Sequence, residues 1–425
     1  MWGRTIGAVA VDGPGRVASF EYTRDFVGSG IEIAPLMMPL RTGTFEFPML
    51  PAASFHGLPG MLADALPDKF GNAVIDAWLA SQGRLPAEID SVERLCYTGA
   101  RGIGALEFHP AIGPSAKASL PVRIDALVSL ASEVLRQREG LQASLAQPER
   151  ELALREILRV GSSAGGARAK AVIAWNPHTQ EVRSGQVQVP PGFEHWLIKF
   201  DGVSGNTDRD LADPAGFGAI EYAYSLMAKA AGIRMSECRI LEENGRRHFM
   251  SRRFDRREGG DKVHMQSLAA IAHLDFNSAG AHSYEQAFAV MRRLALPADD
   301  LEQQFRRMAF NVVARNQDDH VKNIAFLMDR SGTWSLSPAF DVMYAYNPSG
   351  SWTSVHQMSL AGKRDDFALE DLLEVARTAS IRRDRAARIV AEVTGAVSRW
   401  PEFAEAAAVL PSQADMIGGV HRTRM

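Results

Sequence analysis

The hydrophobic period of this chain changes twice along its length, and that change limits the folds open to it. Residues 5–11 (TIGAVAV) and 16–22 (RVASFEY) are strand-like runs around Asp12-Gly13-Pro14-Gly15, a turn signal. Residues 60–81 carry helical spacing, interrupted by Pro67, and 98–121 are Gly-, Ala-, Ser- and Pro-rich and read as loops. Polar helices follow over 123–158, broken near Gln147-Pro148. A small-residue loop at 161–176 then runs into a strand. HWLIKF (195–200) is a second strand with a lysine near its end, and 215–232 is an amphipathic helix stopping at Gly232. Asn244-Gly245 marks a hairpin. From about residue 266 the 3.6-residue period dominates, except for a β-like insert at 323–341. The order is β-rich, then mixed, then helical with one embedded hairpin. At 425 residues the chain exceeds one ordinary core, so two or three domains are expected.

Composition narrows the function classes. The net charge of -3 gives no global electrostatic case for binding nucleic acid. The N-terminus lacks a charged head before an apolar run, and no window reaches the roughly 18 apolar residues of a membrane span. The expectation is a cytoplasmic protein with no membrane partner. Cys96 and Cys238 lie in no CxxC pattern and read as two reduced thiols.

The chemistry concentrates in Arg315-Asn-Gln-Asp-Asp-His-Val-Lys-Asn323, after a helix and before a strand. Asn323 follows Asp318 by five positions, and Asp341 is placed at the end of the hairpin's second strand. Phosphoryl transfer by a protein kinase needs three such groups. One Asp accepts or orients the proton of the attacking hydroxyl, an Asn five residues on holds Mg²⁺, and an Asp after a short hairpin holds Mg²⁺ against the phosphates. Oxygen ligands suit that hard cation. The alternatives are a solvated Asp-Asp-His turn, or a transition-metal site on His320 and carboxylates.

Other residues fall in the order a two-lobed kinase requires. The loop 162–170 (SSAGGARAK) can approach an anion closely through its backbone, and Arg168 and Lys170 add positive charge there. It is neither GxGxxG nor a Walker loop. Lys199 sits where a kinase places its phosphate-pairing lysine, though a lone strand-end lysine more often reaches solvent. Glu221 lies in the next helix, where it could pair Lys199; a surface Glu is the commoner outcome.

With these residues in place, the chain resembles the HipA family, the serine/threonine-kinase toxins of type II toxin–antitoxin systems. The resemblance rests on LPGMLADALPDKFGN, SSAGGARAK, HWLIKF, SRRFDR, RNQDDHVKN and LSPAFDVMYAYNP, from about residue 5 to about 400. It implies an α+β, bilobal protein-kinase-like fold, with a mixed α/β N-terminal lobe and a mainly helical C-terminal lobe. The implied divisions are an N-terminal subdomain over 1–115, a kinase N-lobe over 116–255 and a helical C-lobe over 256–425.

The resemblance also assigns roles. Asp318 is the implied catalytic base, and Asn323 and Asp341 the implied Mg²⁺ ligands. ATP would be bound by Gly165, Gly166, Ala167, Arg168 and Lys170 of the loop, by Lys199, and by His320, Lys322 and Asn323 beside the nucleotide. Arg252 and Phe254 would lie at the adenine hinge, where the family's Val-Glu-Arg-Phe is here Ser-Arg-Arg-Phe. Ser163, next to Ser162, falls at the family's self-phosphorylated loop serine. A phosphate there would add about -1.5 to -2 charge and could eject the loop. The implied partners are a helix-turn-helix antitoxin, DNA only through that antitoxin, and a protein substrate with a Ser or Thr hydroxyl, with translation machinery the family's precedent.

Three competing readings stand beside this one: a binding module acting chiefly as co-repressor with the antitoxin, a small-molecule or lipid kinase, and a metal-dependent hydrolase on Asp318, Asp319 and His320. The N-terminal 110 residues carry no recognisable chemistry and are assigned to packing and partner contact.

Overall fold

The structure is a computed structural model. It describes residues 1–13, 15–112, 122–136, 168–185, 189–203, 207–208, 211–212 and 216–424. The first two strand-like runs form β1 (Gly7–Ala10) and β2 (Ser19–Tyr22), paired antiparallel, and β3 (Thr44–Phe45) adds to β2. Alternation along β2 sends Phe20 and Tyr22 into the core. Pro67 does interrupt the helical run. A short turn at Gly60–Ala63 ends before it, and α1 (Lys69–Ser81) begins after it. Asp68 caps α1 by accepting from the Gly71 N–H at 2.6 Å. Next come α2 (Ser91–Thr98) and α3 (Ile124–Arg136).

The central layer is a five-stranded antiparallel sheet. It comprises β4 (Lys170–Trp175), β5 (Val182–Ser184), β6 (Glu194–Lys199), β7 (Cys238–Glu243) and β8 (Arg246–Arg252), in the order β5-β4-β6-β8-β7. On one face Phe70 and Val74 of α1 and Leu127 of α3 pack with Ile173, Trp196 and Ile198 in one hydrophobic core. On the other lies α4 (Phe217–Ala230). A Cβ on Gly218 would stand 2.5 Å from the Arg247 carbonyl oxygen, so glycine there lets α4 press against β8. Asn244 and Gly245, at φ 45° and 76°, close the β7–β8 hairpin that their sequence signals.

The rest is mainly helical: α5 (Tyr284–Arg293), α6 (Ala298–Val313), α7 (Leu369–Thr378), α8 (Arg383–Val397) and α9 (Trp400–Ala406). Its embedded sheet differs from the expected hairpin in two ways. A strand over His264–Ser267 joins the pair Ala325–Met328 and Trp334–Leu336, making three strands. The last strand also stops at Leu336, so Asp341 does not end it. The ladder finishes with the Ser337 N–H donating to the Ala325 carbonyl, and Pro338 has no N–H to extend it. Asp341 lies beyond, at a left-handed φ of 52°. Both cysteines are free thiols. No helix among the described residues is long and apolar enough to cross a membrane.

Candidate active site

Strand β6 delivers Lys199 to the inner face of the sheet, where it meets two carboxylates. Its Nζ lies 2.6 Å from Glu221 Oε1 on α4 and also donates to the Asp341 carboxylate. Glu221 is 2% exposed, so it is no surface residue, and Lys199 does not reach freely into solvent. Burial pulls against the Lys199 charge, but Asp341 and Glu221 more than offset this and raise its pKa above the usual lysine value. Burial likewise opposes the Asp341 charge, yet Lys199 and Lys170 hold its pKa down to about 2. Burial dominates at Glu221 and pushes its carboxyl up. One cation is shared between two anions, and Asp341 carries the negative charge more readily.

Lys170 stands directly opposite Lys199 in the β4–β6 register. It does not project charge from a loop. Its ammonium is 3.2 Å from the Asp68 carboxylate, with both side chains almost wholly buried. The N-terminal region therefore contributes a charged partner inside the cleft, beyond the packing role expected of it. Arg168 lies 3.5 Å above the Phe217 ring.

The loop after α6 turns Asp318 and Asp319 to opposite duties. Asp318 lines the cleft, and its Oδ1 accepts from the Trp352 indole N–H at 2.6 Å. His320 Nε2 is 3.8 Å from the same oxygen. Asp319 points inward. It accepts from the Tyr284 hydroxyl at 2.7 Å, from His356 Nδ1 at 2.8 Å and from the Gln357 N–H at 2.8 Å. Burial opposes its charge, but His356 and these donors hold its pKa below the usual range. This buried network occupies Asp319, which does not line the cleft with Asp318 and His320, and so speaks against a hydrolase site on the three residues.

Asn323 donates its amide N–H to the Asp318 carbonyl at 2.8 Å, which leaves the amide oxygen as its free end. That oxygen and the Asp341 carboxylate belong to residues lining one cleft, a donor set that suits a hard cation sharing its remaining positions with phosphate oxygens. Lys322 lies 4.6 Å from the Phe276 ring centroid. At the end of β8 Arg252 pairs with Glu194 at 3.3 Å and Glu237 at 3.2 Å, and Phe254 packs on Phe340 with centroids 5.7 Å apart.

Arg168, Lys170, Lys199, Arg252, Phe254, Asp318, His320, Lys322, Asn323 and Asp341 all line a single cleft of about 1700 Å³. Gly165, Gly166, Ala167 and Ser163 lie outside the described residues. Sequence reasoning missed Asp68, Trp352 and the Tyr284–His356 pair. Asp68 gave a signal only as a helix cap.

Comparisons with known proteins bear on family and fold. Residues 1–109 match the HipA N-terminal domain, and residues 162–400 match the HipA-like C-terminal domain. The Sinorhizobium fredii protein named "Putative kinase Y4mE" is 28% identical over 126 residues, which cover 28% of this chain and 30% of that protein. The chain thus spans under a third of that relative's length in the match. Among solved structures, HipA of Shewanella oneidensis MR-1, from a complex of the toxin–antitoxin system HipA, HipB and its operator DNA, superimposes with a TM-score of 0.66. It is 15% identical, with 97% of this chain and 92% of that one covered, a likeness of fold. With its C-terminal family match covering more than half the sequence, this chain belongs to the HipA family.

Proposed function

We propose that the protein is a Mg-ATP-dependent serine/threonine protein kinase, acting as the toxin of a toxin–antitoxin module. One observation carries the reading: Lys199 bridges Glu221 and Asp341 in the cleft that Asp318 and Asn323 also line. Lys199, held by Glu221, is placed to take an ATP phosphate. Asn323 and Asp341 would hold Mg²⁺, which neutralises charge on the transferring phosphoryl group. Asp318 aligns the substrate hydroxyl and takes its proton as the oxygen bonds to the γ-phosphorus and ADP leaves. Arg252 and Phe254 are assigned to the nucleotide's edge, and His320 and Lys322 to its flank.

Family membership supports the toxin role, and the HipB–operator complex of the structural relative supports a DNA-binding antitoxin as partner. Contact with DNA would then run through the antitoxin. Ser163 is assigned as the self-phosphorylated residue, with residues 165–168 as the phosphate loop. The test is incubation with γ-labelled ATP, with and without Mg²⁺, then mass spectrometry of the peptide spanning 159–172. Mg²⁺-dependent label on Ser163 is expected. No label anywhere together with no nucleotide binding would overturn the kinase reading and favour the co-repressor one.

A further inference from the structure

The segment after Asp341 is fastened to the loop that carries Asp318. Gln317 N–H donates to the Ala345 carbonyl at 3.1 Å, and Gln317 Nε2 reaches the Ser354 carbonyl at 3.4 Å. Asp319 takes His356 Nδ1 and the Gln357 N–H, both at 2.8 Å. Gln357 in turn donates from Nε2 to the Trp352 carbonyl. At the end of this stapled segment, the Trp352 indole N–H meets Asp318 Oδ1 at 2.6 Å. Asp318 lines the cleft, and Trp352 is not among the residues that line it.

We infer that Trp352 is a positioning residue for phosphoryl transfer: its indole N–H fixes the rotation of the Asp318 carboxylate so that its cleft-facing edge meets the substrate hydroxyl. The inference rests on the kinase reading above. A carboxylate on Cβ turns about two bonds, and a hydrogen bond to one oxygen removes that freedom before substrate arrives. Such preorganisation acts on the transition state and leaves nucleotide affinity untouched. The second oxygen takes the hydroxyl proton. The buried Asp319 group holds the backbone on which this depends.

The variant Trp352→Phe keeps the aromatic bulk and deletes the N–H. With an acceptor peptide and saturating Mg-ATP, kcat should fall about tenfold while KM for ATP stays within about twofold. An unchanged kcat, a raised kcat, or a KM for ATP that rises by the same factor would overturn the assignment. A second measurement needs neither activity nor a well-folded W352F. In ¹H–¹⁵N spectra of the full chain, the Trp352 indole signal should be protected from exchange. It should move in Asp318→Ala and stay in place in Lys199→Met. An indole signal indifferent to Asp318→Ala overturns the positioning bond. A wild type that transfers no phosphate overturns the kinase reading instead, and the indole signal then decides the bond on its own.

Discussion

Lys170 and Lys199 face each other across adjacent strands of one sheet, yet different parts of the molecule hold them. Lys199 is held by α4 and by the segment after the embedded sheet, both within residues 162–400. Lys170 is held by Asp68, which caps a helix of the N-terminal region. The first group borders the cleft through Asp341, whose side chain is 26% exposed. The second is sealed. One sheet face thus carries two kinds of lysine: Lys199, which the proposed function assigns to phosphate binding, and Lys170, which ties the N-terminal region to the wall of the cleft.

The sharpest way to break this contrast is to remove each member in turn. Lys199→Met should lower kcat/KM for phosphoryl transfer by on the order of 10³-fold, because charge stabilisation of the transferring group is lost. Steady-state transfer of labelled phosphate reads it. Asp68→Asn should do the opposite in kind. It strands a buried ammonium and should cost about 3 to 5 kcal/mol in urea unfolding. The double variant Asp68→Leu with Lys170→Met should recover most of that loss, since neither charge is left unpaired. The lost Asp68 cap on α1 should leave about 1 kcal/mol unrecovered, and a shortfall well beyond that would mean that Lys170 has a second duty in the cleft.

Asp319→Asn sharpens the picture on the other wall. Losing a charged acceptor of three buried hydrogen bonds should cost about 2 kcal/mol at neutral pH. The sign with pH follows from its lowered pKa. The stabilisation is complete above the unfolded Asp value of about 4 and is lost as pH falls toward the folded value. Denaturation series from pH 6 to 3 should therefore show the wild type losing its advantage over Asp319→Asn on acidification. The smallest effect is expected from Glu221→Gln. Lys199 keeps Asp341 and a neutral acceptor, so transfer should fall about tenfold, read in the same steady-state assay.

These contrasts also explain what the sequence revealed. Local signals were legible. Asn244-Gly245 forms its hairpin, Pro67 divides the helical run, and Asp318 and Asn323 reach one cleft because their spacing is short. Long-range pairings were not. From Asp68 to Lys170 the chain runs about 100 residues, and no pattern in either segment names the other. The Lys199–Glu221 pair was legible only as one option beside a surface Glu, because nothing in a single helix says which face meets a buried lysine. The strand at His264–Ser267 was hidden because it owes its form to pairing with Ala325–Met328, and a four-residue run carries little period of its own. Trp352 gave no signal at all. An indole becomes informative only when its N–H meets a specific carboxylate.

Everything above turns on Asp318 acting on the hydroxyl and not on the nucleotide. The direct measurement is ATP affinity by calorimetry beside the transfer rate at saturating Mg-ATP, for the wild type and Asp318→Asn in parallel. ATP affinity should stay within about twofold while transfer slows by on the order of 10³-fold, the loss belonging to a group used only in the transition state. An Asp318→Asn protein that transfers phosphate within a few-fold of wild type would contradict it.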